Sequence, residues 1–151
     1  MVNKTEAPIV LVVDDDAWIR LVMRDLMIEE GYAVLEASNG SAAMRLAQRQ
    51  APALLLLDLV LPEQSGFALL TELKSSRVTQ HIPVIAVTAR TELLRRAAEL
   101  ADAVVAKPFD IDELLDKIRM VARHVIPHTE PPQFASSWSG GRHVTTMLPA
   151  R

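Results

Sequence analysis

Five short apolar runs recur along the chain, and polar segments of helical period separate them. The runs occupy residues 9–13, 33–37, 53–57, 82–88 and 103–106. The first, third and fourth are almost continuously apolar, which is typical of strands that are buried on both faces of a parallel sheet. The pattern therefore predicts five β-strands.

The segments between the runs place their apolar residues on one side of a helix. Residues 41–50 and 67–76 are amphipathic, and residues 91–100 predict a shorter and weaker helix. The first helix stops at Gly31, and its apolar residues are Ile19, Val22, Met23, Leu26 and Met27. The last helix starts at a capping-box-like pair, Asp110 and Glu113, and its apolar stripe ends at Val125. Strands and helices that alternate in this way predict a doubly wound α/β fold with right-handed crossovers.

The composition is that of an ordinary soluble globular protein. Half of the 151 residues are hydrophobic, and the net charge of −3 offers no basic field for nucleic acid. The absence of cysteine excludes disulfides and thiolate chemistry and suits a reducing compartment. The run at 9–13 is too short for a secretory signal, and no stretch is long enough to cross a bilayer. We therefore expect a cytoplasmic protein without membrane attachment.

The composition changes at Pro127, because residues 127–151 hold four of the nine prolines and show no periodicity. We predict an N-terminal extension (residues 1–7), one domain (residues 8–126) and a mobile tail rich in Pro, Ser and Gly (residues 127–151). The aromatic residues of the tail leave a docking role open, although an inert extension is favoured. The tail is too short for an output domain, so we expect a stand-alone domain.

Most of the predicted strands end in residues with useful chemistry. Because ligands of an open parallel sheet bind beyond the carboxyl ends of its strands, we expect these residues to meet at one edge. Singly, each has an ordinary explanation: Asp16 as a helix cap, Thr88 as a strand residue and Lys107 as a surface charge. Together they indicate a functional pocket, because crowded acids repel one another unless a cation lies among them. The set consists of Asp14, Asp15 and Asp16 at the end of the first strand, Asp58 at the end of the third, Thr88 at the end of the fourth and Lys107 at the end of the fifth.

These residues favour a hard cation and phosphoryl chemistry. Oxygen ligands without cysteine or a suitably placed histidine indicate Mg²⁺, which leaves room for phosphoryl oxygens. A carboxylate beside such a metal, opposite a lysine and a hydroxyl, can attack phosphorus and form an aspartyl phosphate. Asp58 follows four leucines (residues 54–57), where an unpaired carboxylate would be costly. We therefore interpret Asp58 as the nucleophile and a metal as its partner.

Four segments, VLVVDDD, LLLLDLVLPEQSG, VIAVTA and VVAKPF, resemble the receiver domain of response regulators in two-component signalling, over about residues 8–125. The resemblance implies a flavodoxin-like, five-stranded parallel sheet in the order 2-1-3-4-5. It also implies a metal site that includes the phospho-acceptor Asp58. In that site Asp15 binds Mg²⁺ directly, Asp14 acts largely through water, and the backbone carbonyl of Val60 is a further ligand.

The resemblance also implies the roles in phosphoryl transfer. Asp58 would be phosphorylated, Thr88 would hydrogen-bond the phosphoryl group and Lys107 would pair with it. The peptide bond between Lys107 and Pro108 would be cis. Val60 and Arg90 would flank the route of the attacking water, and their apolar and long cationic side chains predict a long-lived phosphoryl state.

The chain departs from the family pattern on the face of the fourth helix, fifth strand and fifth helix, where family members meet partners. Val104 stands where an aromatic switch residue is usual, and the interval from Thr88 to Lys107 is short. The usual small glycine before the fifth strand is replaced around residues 100–101. A milder change is Ser65, where an acid is common. We expect intact phosphoryl chemistry and a remodelled output surface.

The leading function is a phospho-accepting receiver rather than an enzyme. Its donor would be a sensor histidine kinase or a histidine phosphotransfer protein, and its target an unknown downstream protein; we expect a monomer or weak dimer that does not bind nucleic acid directly. A phosphorylation-independent interaction module is an alternative that Val104 supports. A Mg²⁺-dependent phosphohydrolase generally needs a second acid two residues past the nucleophile, where this chain has Val60. A flavin site would need a phosphate-cradling loop where three acids stand.

Overall fold

The computed structural model describes residues 7–122, which alternate between strands and helices. The strands are β1 (Ile9–Val13), β2 (Ala33–Ala37), β3 (Leu54–Asp58), β4 (Val84–Thr88) and β5 (Ala103–Ala106). The helices are α1 (Ala17–Glu29), α2 (Gly40–Gln50), α3 (Gly66–Ser75), α4 (Leu94–Ala98), which follows a 3-10 turn (Thr91–Leu93), and α5 (Ile111–Ala122). No helix in this part of the chain is long and apolar enough to span a membrane.

All five strands run parallel in one sheet, in the order β2-β1-β3-β4-β5. The predicted fold class and strand order are confirmed. From β1 the chain moves outward to β2 and then returns to the other side of β1 to form β3. Such a reversal opens a crevice at the carboxyl ends of two neighbouring strands. Here the crevice lies between the ends of β1 and β3, where Asp14 and Asp58 stand.

Alternation along the central strands sends apolar side chains to both faces of the sheet. Leu55 and Leu57 belong to one buried cluster, which includes residues of α2, α3 and α4. Leu54 and Leu56 belong to the other, which includes residues of α1 and α5. Every residue of β3 and of β4 is buried, as their continuous apolar runs predict. Helices therefore cover both faces of the sheet, and polar chemistry is confined to its edge.

The boundaries of two elements differ from the prediction. Strand β4 begins at Val84 rather than at residue 82, whereas β3 ends in Asp58 as predicted, with Asp58 in register with Val87 of β4. The helix predicted at 91–100 divides into the 3-10 turn and the five-residue α4. Neither of these pieces starts with a side-chain cap.

The predicted helix ends are seen at two places. Gly31 has a φ of 95° and ends α1 in a conformation that suits glycine. Asp110 caps α5, and its carboxylate accepts a hydrogen bond from the N–H of Asp112 at 2.8 Å. Val125, the domain end at 126 and the tail at 127–151 lie outside the described residues, so these remain predictions.

Gly66 allows the start of α3 to lie directly against the end of β3. Its N–H donates to the carbonyl of Leu59 at 3.0 Å, and a Cβ at this position would overlap the backbone of Leu59 and the carbonyl oxygen of Asp58. Ser65 caps the helix and accepts a hydrogen bond from the N–H of Ala68 at 3.0 Å. The Ser-Gly pair thereby fixes the chain immediately after the candidate nucleophile.

Candidate functional site

The predicted acids and lysine meet at the carboxyl edge of the sheet. One carboxylate oxygen from each of Asp14, Asp15 and Asp58 lies within 4.8 Å of the others. The Lys107 Nζ lies 2.8 Å from Oδ2 of Asp14 and 3.1 Å from Oδ2 of Asp58. The peptide bond between Lys107 and Pro108 is cis, as predicted. The topology thus joins residues that are 93 and 49 positions apart in the chain.

Burial divides the acids into two kinds. Asp14 and Asp58 are 1% and 7% exposed, and Lys107 is 6% exposed, whereas Asp15 is open to solvent. Two buried carboxylates therefore share one ammonium group, and a third carboxylate stands at the entrance. Three carboxylates against one ammonium leave an excess of negative charge that a divalent cation would balance. The all-oxygen donor set fits Mg²⁺, and the exposed Asp15 gives it access.

The surroundings of Asp58 raise the pKa of its carboxyl group toward neutral pH. Desolvation by burial, helped by the charge of Asp14, raises its pKa from 3.8 to about 6, although the Val60 N–H and Lys107 act in the opposite direction. Burial alone would lower the pKa of Lys107, but its hydrogen bonds and charge interactions with Asp14 and Asp58 raise the pKa above the ordinary value. Lys107 is therefore a permanent cation at neutral pH, and Asp58 is predominantly an anion.

Backbone amides orient the reactive side chains. The Val60 N–H donates to Oδ1 of Asp58 at 2.9 Å, and the Arg90 N–H donates to Oγ1 of Thr88 at 3.0 Å. Thr88 is fully buried at the end of β4, and its carbonyl accepts a hydrogen bond from the N–H of Lys107 at 2.8 Å. In the described residues the Thr88 hydroxyl thus contacts its own loop and is not hydrogen-bonded to the acids. Its proton stays available for a further acceptor.

Asp16 has the role of a helix cap, as its sequence position indicates. Its carboxylate accepts a hydrogen bond from the N–H of Trp18 at 2.9 Å at the start of α1. Its own N–H donates to Oδ1 of Asp14 at 2.9 Å. The backbone of Asp16 therefore orients the Asp14 carboxylate, and the Asp16 carboxylate is not among the three that cluster.

The two residues predicted to tune hydrolysis line one groove beside the site. Val60 is 43% exposed and lies in this groove with Arg90, Phe67 and Arg96. The Arg96 guanidinium stands 4.2 Å above the centre of the Phe67 ring. The Arg90 Nε lies 2.7 Å from a carboxylate oxygen of Glu92. The groove is therefore lined by both apolar and cationic side chains.

Val104 lies within β5, away from the acids. It is partly buried and packs against the core cluster beneath α3 and α4, together with Leu93, Leu100 and Ala101. Its carbonyl accepts a hydrogen bond from Nζ of Lys117 at 3.3 Å. Val104 therefore adds an aliphatic side chain to the core packing at this position of β5.

One cation at the site was missed by the sequence analysis. Arg20 of α1 donates from Nη1 to the backbone carbonyl of Asp14 at 2.7 Å. Arg20 follows Asp14 by six residues, and an arginine at that distance in a helix gives no signal by itself.

Comparisons with known proteins agree with the fold. Residues 10–119 match the family described as the response regulator receiver domain. The sporulation initiation phosphotransferase F of Bacillus subtilis is 35% identical over 113 residues, which cover 73% of this chain and 90% of that protein. The chain belongs to the response regulator receiver domain family of two-component systems.

Longer relatives and a solved structure extend the comparison. Histidine kinase P4 of Formosa agariphila is 29% identical over 148 residues, which cover 96% of this chain but only 10% of the kinase. The chain spans about half the length of several regulators that it also matches. The receiver domain of a Pseudomonas aeruginosa sensor histidine kinase shares 25% identity and a TM-score of 0.71, covering 78% of this chain and 98% of that domain. That structure has a magnesium ion coordinated in its active site cleft.

Proposed function

We propose that this receiver domain accepts a phosphoryl group on Asp58 from a phosphohistidine donor, in a Mg²⁺-dependent reaction. The observation that carries the proposal is the position of Lys107, whose ammonium group bridges the buried carboxylates of Asp14 and Asp58. A nucleophilic carboxylate needs cations beside it to approach an anionic phosphoryl group. Lys107 supplies one such cation, and the three-acid cluster is suited to hold another.

The metal site would consist of the carboxylates of Asp14, Asp15 and Asp58 and the backbone carbonyl of Val60. Bound Mg²⁺ would neutralise charge on the transferring phosphoryl group. Asp15 is the exposed member of the set and offers an oxygen at the entrance, whereas Asp14 is buried and paired with Lys107. This division supports direct ligation by Asp15 and a mainly indirect role for Asp14.

The transfer step uses the groups already positioned around Asp58. A carboxylate oxygen of Asp58 attacks phosphorus, and the P–N bond to the donor imidazole breaks with its electron pair remaining on nitrogen. Lys107 then pairs with a phosphoryl oxygen, and the Thr88 hydroxyl donates its proton in a hydrogen bond to another. The Asp58 carboxyl group must be ionised to attack, which its pKa of about 6 permits at neutral pH.

The proposed partners follow from this reaction. A sensor histidine kinase or a histidine phosphotransfer protein would supply the phosphoryl group. The face of α4, β5 and α5 would meet a downstream protein, and the aliphatic Val104 on β5 supports a switch that differs from the aromatic one of the family. The same observation favours a second candidate function, an interaction module that binds partners without phosphorylation.

Phosphorylation can be tested with phosphoramidate, a small donor that contains a P–N bond. We expect a gain of roughly 80 Da in intact mass, corresponding to one phosphoryl group, that requires Mg²⁺. The variant Asp58→Asn should show no gain, because an amide is not a nucleophile of this kind. The variant Asp116→Asn changes an acid of α5 whose side chain is 77% exposed and should behave as the parent chain does.

The outcome separates the two candidate functions. A gain that Asp58→Asn removes supports the phospho-acceptor. No gain in the parent chain, despite measurable Mg²⁺ binding, would contradict it and favour the phosphorylation-independent module.

The phosphoryl lifetime should depend on Val60 and Arg90. The apolar Val60 offers the attacking water no hydrogen bond and the long cationic Arg90 hinders its approach, so the phosphorylated chain should hydrolyse slowly. We expect the double variant Val60→Asn, Arg90→Glu to lose the phosphoryl group several-fold faster, as measured by intact mass over time after removal of the donor. The matched control is Val78→Asn, Arg95→Glu, which changes two exposed residues that do not line the groove. An unchanged lifetime in the first variant would contradict the assignment.

A further inference from the structure

The peptide group that joins Asp14 to Asp15 leaves the sheet at the end of β1. The ladder between β1 and β2 ends at the pair Val13 and Ala37. The Asp14 N–H still donates to the Ala37 carbonyl at 3.2 Å. The Asp14 carbonyl lies beyond the end of this ladder and accepts no backbone hydrogen bond from β2. Since Asp14 is 1% exposed, this carbonyl needs a donor from elsewhere in the protein.

Arg20 supplies that donor from α1. Its Nη1 lies 2.7 Å from the Asp14 carbonyl oxygen, and its Nε lies 3.5 Å from a carboxylate oxygen of Glu36 on β2. The Arg20 side chain is only 18% exposed, so its guanidinium group is held between a strand end and a neighbouring strand. Arg24, one turn further along α1, contacts the other oxygen of Glu36 at 3.8 Å. The guanidinium of Arg20 is therefore held through two of its nitrogens, Nη1 by the Asp14 carbonyl and Nε by Glu36.

We infer that Arg20 is a positioning residue for the Mg²⁺ site, an inference that depends on the function proposed above. The carbonyl that Arg20 holds belongs to the same planar peptide group as the N–H of Asp15. Fixing this plane fixes the direction in which the Asp15 side chain leaves the backbone, and the Asp14 carboxylate is attached to the preceding Cα. Arg20 thus orients two of the three clustered acids without contacting any carboxylate of the cluster.

Simple electrostatics makes the opposite prediction. A cation beside an acidic cluster repels Mg²⁺, so its removal would tighten Mg²⁺ binding if charge alone mattered. A positioning role predicts weaker binding, because groups that orient metal ligands typically change affinity by roughly 10- to 100-fold when they are removed. The sign of the change therefore distinguishes the two effects.

The test is calorimetric titration of Mg²⁺ into the full chain without a phosphoryl donor. We expect Arg20→Met to weaken Mg²⁺ binding roughly tenfold and Arg20→Lys, which retains a charged donor, to fall between Arg20→Met and the parent chain. The control Arg24→Met removes a neighbouring charge that contacts Glu36 but not Asp14, and it should leave the affinity within about twofold of the parent value. If Arg20→Met does not fold, Arg20→Gln provides the same measurement with a neutral side chain that is too short to span the gap.

A phosphorylation assay adds a second readout. At saturating Mg²⁺ the maximal rate in Arg20→Met should approach that of the parent chain, because Arg20 does not touch the reacting atoms. Unchanged or tighter Mg²⁺ binding in Arg20→Met, with only a loss of stability, would overturn the inference and leave the phospho-acceptor proposal standing. Absence of phosphorylation in the parent chain would contradict that proposal without altering the Mg²⁺ comparison.

Discussion

Lys107→Met is expected to lower the free energy of unfolding by about 3 kcal/mol at about pH 7 without Mg²⁺. Methionine retains most of the aliphatic stem but removes the ammonium group that lies within 3.1 Å of both buried carboxylates. Breaking a buried ion pair from one side is costly, because it leaves uncompensated charge in a poorly solvated place. Here one substitution leaves two carboxylates without the cation that they share.

Two conditions should reduce this loss. Lys107 lowers the pKa of Asp58 in the parent chain, so in the variant this pKa should lie above the parent value of about 6. Protonation of Asp58 at about pH 5 then removes one of the uncompensated charges, and the loss should be smaller there. Mg²⁺ should restore part of the stability, because it replaces the missing positive charge. Urea denaturation at both pH values, with and without Mg²⁺, measures each effect.

Lys117→Met is the matched control for this measurement. Lys117 is a lysine of α5 that donates to the Val104 carbonyl at 3.3 Å and has no carboxylate partner among the described residues. Lys117→Met should lower the free energy of unfolding by much less than Lys107→Met does, and Mg²⁺ should not change this difference from the parent chain. Equal losses for the two variants would show that Lys107 does not compensate the acidic cluster.

Asp58→Asn is expected to have the opposite sign and to raise the free energy of unfolding by about 2 kcal/mol at neutral pH. The pKa of Asp58 is raised to about 6, mainly by burial, so the folded protein disfavours the ionised carboxylate that neutral pH imposes. Asparagine is similar in shape and carries no charge. Lys107 can still pair with Asp14 at 2.8 Å in this variant.

The pH dependence of this gain follows from proton linkage. Between about pH 4 and about pH 6 the folded chain binds more protons at Asp58 than the unfolded chain, so the stability of the parent protein falls as pH rises through that window. Asp58→Asn lacks this fall. The difference between the two proteins should therefore be small at about pH 4 and complete above about pH 6, as measured by urea denaturation.

Asp116→Asn is the matched control for Asp58→Asn. Asp116→Asn neutralises an exposed acid and should change the stability by less than about 0.5 kcal/mol. Mg²⁺ should narrow the difference between Asp58→Asn and the parent chain, since it stabilises the parent through its carboxylates. If the Asp58→Asn variant is less stable than the parent chain at every pH, burial of the ionised Asp58 carboxylate does not destabilise the folded protein, which contradicts the account.

The fold could be predicted from the sequence because its signals are local and repeated. The continuous apolar runs of β3 and β4 can be buried on both faces only in a covered parallel sheet. The helix at 91–100 was predicted too long, because apolar spacing alone does not distinguish a 3-10 turn from the first turn of an α-helix. The length of a helix was therefore predicted least well where its hydrophobic periodicity was weakest.

The site could be predicted only as a set of residues, not as a set of contacts. Strand ends placed Asp14, Asp58 and Lys107 at one edge, because all parallel strands present their carboxyl ends there. A metal was predicted as the partner of Asp58, but the direct contact of Asp58 with Lys107 was not, because the reach of the lysine depends on tertiary packing. The contact of Arg20 with the Asp14 carbonyl depends likewise on side-chain geometry that no local pattern encodes.

The position of the phosphoryl group tests the central claim most directly. After incubation with phosphoramidate and Mg²⁺, borohydride reduces an aspartyl phosphate to homoserine, and peptide mass mapping then locates the converted residue. We predict conversion at Asp58 alone, and none when Mg²⁺ is omitted. Conversion at another acid, or a phosphorylated chain without any converted aspartate, would contradict the assignment of Asp58 as the phospho-acceptor.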